Sequence, residues 1–159
     1  LGCGTILREA MAAAELLAND WHIAADVWSA TSFNELHRNG NDVVRWNFLH
    51  PEAEPRESWV ETCLKDTEGP VIAATDYIKL FAEQIRPFVP RNYRVLGTDG
   101  YGRSDSREAL RRHFEVDRYY ITVAALSALA GDGKLDRGKV SEAIQKYGIN
   151  PEKPNPITV

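Results

Sequence analysis

Val95-Leu-Gly-Thr-Asp-Gly-Tyr-Gly-Arg-Ser-Asp-Ser-Arg-Glu-Ala-Leu-Arg-Arg-His-Phe-Glu-Val-Asp117 reads as strand end, glycine-punctuated polar loop and capped helix in immediate succession. α/β proteins place functional loops at such junctions. Tyr93-Arg-Val-Leu96 supplies the strand. Gly97, Gly100 and Gly102 give the loop backbone a freedom and closeness of approach that side chains would deny it. Asp105 and Glu108 have the D-x-x-E spacing of a capping box, which predicts a helix starting there and carrying Leu110 and Phe114.

Working outward, Pro70-Val-Ile-Ala-Ala-Thr75 predicts a second strand, followed by a helix from about Tyr77 to Arg86 that Pro87 and Pro90 end. Near the beginning, Ile6, Ala10, Ala13, Ala14 and Leu17 follow the 3.6-residue period. They predict a helix over Thr5 to Asn19 whose alanines let it lie close on a sheet. Ala25 to Ala30 reads as a strand, and Ser32 with Glu35 as another capping box. Asn39-Gly40 is expected to close a short helix, with a further helix from Asp42 to His50 stopped by Pro51. A proline-containing connection from Glu52 to Arg56 leads to a helix over Ser58 to Lys65. Beyond the opening stretch come helices Tyr119 to Ala130 and Lys139 to Tyr147, with Gly131-Asp-Gly133 as the turn and Asp136 as the next N-cap. The segment from 150 to 159 is expected to be an extended tail. This alternation predicts a parallel sheet with helices on both faces, one domain over residues 1–159.

A chain of 159 residues, 43% hydrophobic and 26% charged, can bury the core of one ordinary domain. Its net charge of −4 argues against nucleic acid or an anionic membrane as a partner. The local basic cluster of Arg107, Arg111 and Arg112 reads as a helix face balanced by Asp105, Glu108 and Glu115, or else as a docking surface for an acidic partner. Cys3 and Cys63 have no metal-type spacing and form no disulfide framework, which suits a reducing cytoplasm. No apolar run approaches the ~20 residues of a membrane span. Leu1-Gly-Cys-Gly4 reads as the end of a strand already under way, so the chain is expected to be a fragment with a truncated first strand. The neighbouring strand edge is then expected to self-associate or to take up poorly ordered segments.

Candidate chemistry is sparse. Asp132-Gly-Lys-Leu-Asp136 lacks the oxygen ligands of a calcium loop. His22, His37, His50 and His113 show no metal spacing; His113 beside Arg112 is expected to favour its neutral form. Ser104 and Ser106 stand in Gly102-Arg-Ser-Asp-Ser106, which has a Ser where a nucleophile elbow needs its second Gly. The loop before the helix could cradle an anion, but Asp99 and Asp105 bring carboxylates to that place. The same residues also read as a rigid contact surface: Asp99, Arg103 and Asp105 as a charge-assisted network, Tyr101 as an exposed aromatic anchor. Trp21, Trp28, Trp46 and Trp59 read as core or inter-domain packing. No catalytic, cofactor or metal residue is assigned. The candidate interface set is Asp99, Tyr101, Arg103, Ser104, Asp105 and His113.

The stretch from Leu96 to Asp117 resembles the LGTDGFGRSD-x-R-x-x-LR-x-HFEVD signature in the C-terminal domain of the homodimeric, thiamin-diphosphate-dependent E1 components of pyruvate dehydrogenase complexes, with Tyr101 in place of Phe. Gly2 to Arg8, Asp26 to Phe33, Arg45 to Pro51, Ala74 to Gln84 and Asn155-Pro156 match in order, so the resemblance covers essentially the whole chain. It implies a three-layer α/β domain of the transketolase C-terminal type, its mainly parallel sheet including one antiparallel strand. It further implies a whole enzyme that decarboxylates pyruvate on thiamin diphosphate and Mg²⁺ and acetylates the lipoyl group of E2. The cofactor would lie between two preceding domains at the dimer interface, leaving this chain the non-catalytic work of assembly with the other E1 domains and the second subunit. Thiamin diphosphate sites begin with Gly-Asp-Gly, yet Gly131-Asp-Gly133 lies between helices and Asn155 does not complete a metal site. Two other readings stand beside this one: a free-standing α/β module binding a small anionic ligand at residues 97–105, and a domain of a related transketolase-type or 2-oxo acid enzyme.

Overall fold

The computed structural model describes residues 1–159. A single 3₁₀ turn at Gly4–Ile6 leads into α1 (Leu7–Trp21). α2 (Phe33–Leu49), α3 (Trp59–Leu64), β1 (Val71–Ala74) and α4 (Lys79–Glu83) follow. A 3₁₀ turn at Arg86–Phe88 precedes β2 (Tyr93–Leu96). The chain closes with α5 (Arg107–His113), α6 (Arg118–Gly131), α7 (Arg137–Lys146) and a 3₁₀ turn at Pro156–Thr158.

β1 and β2 pair in parallel, with Val71 opposite Tyr93 and Ala74 opposite Leu96. Gly2 bridges in parallel to Ala74 on one side and Ser29 on the other, which sets residues 1–3 between β1 and the 28–30 segment. Period-two alternation then divides the core. Val71, Ala73, Tyr93 and Val95 face Phe33, Val60, Leu64, Ile85 and Phe88, while Ile72, Ala74 and Leu96 face Ile6, Ala13, Val116 and Ile121. Helices therefore cover both faces, α2 to α4 on one and α1 with α6 on the other. α7 adds an outer layer through Leu17, Leu126 and Ala143. The α/β three-layer architecture is as expected, but all its pairings are parallel, and the implied antiparallel strand is not part of this sheet.

Several boundaries differ from expectation, each for a local reason. Ala25 to Ala30 is extended but pairs only at Ser29. Gly2 offers it two bonds, Gly2 N–H to Trp28 O and Ala30 N–H to Gly2 O, both 2.9 Å, and no strand runs beside residues 24–27. Gly40 does not end a helix; α2 runs through it to Leu49, and the glycine there leaves room for the ring of Phe88, which occupies the space a Cβ would take. Ser32 caps α2 by accepting from Glu35 N–H, but the Glu35 carboxylate turns to Arg38, so the box is half made. Ser58 and Glu61 do form a full box on α3. α4 is shorter than the expected Tyr77 to Arg86. Thr75 Oγ1 accepts from Tyr77 N–H, and Tyr77 O accepts from Thr98 N–H, which holds this stretch out of helical geometry. The segment 150–159 is not simply extended: Pro156 is buried inside its 3₁₀ turn, and its carbonyl lies against Gly100.

Candidate interface loop and arginine hollow

The first half of the 97–106 loop is clamped to the segment leading into α4. Gly97 lies so close to Tyr77 O and Lys79 N that a Cβ would meet both at 2.8 Å. Thr98 donates twice, through N–H to Tyr77 O and through Oγ1 to Asp76 O, each at 2.9 Å. Asp99 Oδ1 accepts from Lys79 N–H at 2.9 Å, with the Lys79 ammonium 3.7 Å from Oδ2. Gly100 adopts φ +118°, a left-handed conformation that glycine takes without strain.

The second half is exposed. Tyr101 is 80% accessible, and Arg103, Ser104 and Asp105 stand in solvent beside it. The expected Asp99–Arg103–Asp105 network does not form. Asp99 is taken by Lys79, and Asp105 Oδ1 accepts from the adjacent Ser106 N–H at 2.7 Å. Arg103 instead points Nη1 at His113 Nδ1, 3.4 Å away. The cap of α5 is Ser106, whose Oγ accepts from Ala109 N–H, so the expected Asp105 and Glu108 box does not form and the cap lies one residue later. Burial, then Arg103 and Lys153, holds the His113 pKa below its ordinary value, so Arg112 is not the cation responsible.

α5 is anchored by residues whose role the sequence reading missed. Glu9 of α1 is 4% exposed and holds both neighbouring helices. It accepts from Arg111 Nη1 at 2.8 Å, and from Arg118 N–H, Nε and Nη2 at 3.0, 3.0 and 3.1 Å. Burial alone would raise the Glu9 pKa, and the bonds and charge of Arg118, with Arg111, outweigh it and leave the carboxyl below its ordinary value. Asp117 caps α6 by accepting from Tyr119 and Tyr120 N–H and pairs with Arg112 at 3.3 Å. Lys153 donates to Arg112 O and His113 O, securing the tail on the C-terminal end of α5. The partners of the basic helix are thus Glu9 and Asp117, rather than Asp105, Glu108 or Glu115.

Beneath the loop is a hollow of about 530 Å³. Ile6, Leu110, Phe114 and Val116 give it an apolar floor, the exposed Arg103 and Arg107 stand at its rim, and Asp76 and Thr5 also line it. The thiamin diphosphate pattern finds no support in the geometry. Asp132 sits in the turn after α6 with Oδ1 accepting from Asn92, and no three His, Cys, Asp or Glu side chains gather where they could hold a metal ion. The residues present do not fit that group.

A family model described as a transketolase-like C-terminal domain matches residues 1–117. The chain is 62% identical over 159 residues to the pyruvate dehydrogenase E1 component of Cupriavidus necator, and 61% identical over 158 residues to that of Pseudomonas aeruginosa. It is 54% identical over 157 residues to that of Escherichia coli. These alignments cover 98 to 100% of the chain but 18% of each relative, so the chain spans less than a fifth of their length.

Proposed function

Because the chain belongs to the transketolase-like C-terminal domain family, we propose that it is the C-terminal assembly and support domain of a pyruvate dehydrogenase E1. The observation that carries this is 62% identity, sustained over all 159 residues, to a protein of that name. In this reading the whole enzyme decarboxylates pyruvate on thiamin diphosphate and Mg²⁺ and passes the acetyl group to the lipoyl group of E2. The cofactor is held by the remaining E1 domains and the second subunit of a homodimer. The present chain contributes no catalytic residue; it supplies a surface on which the 97–106 loop, clamped over its first half, presents Tyr101 to a neighbouring domain or subunit. Two free cysteines suit a cytoplasmic enzyme, and no helix is long and apolar enough to cross a membrane.

A chimera tests the proposal. The chain replaces the corresponding segment of the C. necator E1, and pyruvate decarboxylation is assayed beside a version with the segment deleted. The chimera is expected to retain activity and the deletion to lose it together with the dimer. Titration of thiamin diphosphate and Mg²⁺ into the chain alone should give no heat. Saturable binding there, or a folded dimeric chimera without activity, would overturn the assignment.

A further inference from the structure

We propose that the hollow under the 97–106 loop is a binding site for a small organic anion with an apolar body, a role independent of the enzyme assignment. The sequence objection to an anion here was the pair of carboxylates in the loop, and the fold removes both. Asp99 faces away to Lys79, Asp105 folds onto Ser106 N–H, and neither lines the hollow.

The cations are in the opposite condition. Arg111 is paired with Glu9, but Arg107 makes no ion pair or hydrogen bond, and the one polar contact of Arg103 is the long one to His113. Two guanidinium groups without an acidic partner therefore stand on the rim of one concavity, ready for bidentate contact with a carboxylate or phosphate. Asp76, also in the lining, accepts from the Thr5 hydroxyl at 3.1 Å. It disfavours a second negative charge there, which orients an anion towards the arginines.

The apolar floor makes the ligand more than a bare ion. Leu110 and Phe114, both half-buried, supply the accessible part of that floor, and Ile6 and Val116, each 1% exposed, back it from the core. A volume of about 530 Å³ falls within the roughly 300–1,000 Å³ of small-molecule sites, and the lining is more polar than apolar, with Tyr101, Leu110 and Phe114 as its accessible apolar part. Inorganic phosphate would engage the rim and waste the floor; phenol would do the reverse.

The test titrates phenyl phosphate, inorganic phosphate and phenol separately into the full 159-residue chain, followed by calorimetry and by NMR shifts of Leu110 and Tyr101. Phenyl phosphate is expected to saturate and to bind at least tenfold more tightly than either of the other probes. An Arg103→Gln, Arg107→Gln double variant, with both changes on exposed side chains, should keep its circular dichroism and lose at least tenfold in phenyl phosphate affinity. Equal affinity for phosphate and phenyl phosphate, unchanged binding by the double variant, or no saturable binding would each overturn the site.

Discussion

Gly40 sits in the interior of α2 with the ring of Phe88 where a Cβ would go. Alanine there gains about 1 kcal/mol in helix propensity but overpacks a ring that is 4% exposed, at a typical cost of about 1–3 kcal/mol. Gly40→Ala is therefore expected to lower the midpoint of chemical denaturation; a raised midpoint would show that Phe88 yields. From sequence alone Asn39-Gly40 looked like a helix end, because a glycine that admits a distant ring cannot be told from one that terminates a helix. His113 gives a second residue-scale expectation. Its pKa is held below the ordinary 6.5 by burial, then by Arg103 and Lys153, so the unfolded chain takes up its proton at higher pH than the fold does. Stability should fall as pH drops through the window beneath 6.5. Arg103→Gln should move the His113 NMR titration upward, and an unmoved midpoint would mean that Arg103 does not act on the ring.

Glu9 governs the element scale, since one carboxylate joins α1 to α5 and to the start of α6. Removing one partner of a buried pair leaves charge uncompensated, at about 3–5 kcal/mol. Arg118 keeps 43% exposure, which places Glu9→Ala near the lower end of that range. The sign of the pH effect follows from the depressed carboxyl. The stabilisation is fully present above its ordinary 4.5 and is lost as pH falls through the lower folded value. Glu9→Gln should flatten that acid limb in a stability profile, and an unchanged slope would assign the limb to other groups. This anchor was partly legible: Glu9 falls among Ile6, Ala10, Ala13 and Leu17 on the buried stripe of α1, and a carboxylate on such a stripe demands partners. Arg111 and Arg118 lie a hundred residues away, and no periodicity could have named them. β2, by contrast, was read to its ends because its alternation and its flanking glycine lie within one short window. α5 was misplaced by one residue because Asp105 and Ser106 are both competent caps and only the backbone path chooses Ser106.

Residues 1–159 hold one apolar slot beside the sheet. Alternation along β1 sends the Val71, Ala73 and Thr75 amides towards β2 and leaves Ile72 and Ala74 on the other edge. Leu1 O accepts from Ala74 N–H, the Leu1 amino group donates to Ile72 O, and Cys3 N–H donates to Ala74 O. Across from this edge, no backbone amide from Ala24 to Trp28 donates a hydrogen bond within the chain. Between the two lies a cavity of about 250 Å³, lined largely by apolar side chains that include Leu17, Val27, Ile72 and Leu129. Unpaired backbone amides over apolar lining form a template for a further strand. We expect the 159-residue chain to self-associate as its concentration rises, through extended segments entering this slot. Val27→Lys, which brings a charge to a side chain 40% exposed at the slot's mouth, should suppress association without unfolding the protein. Sedimentation velocity over a concentration series decides the matter. Growth in mass that the lysine variant abolishes assigns the association to this edge, whereas a monodisperse monomer at the highest concentration would show that solvent satisfies the free amides well enough to leave the slot unfilled.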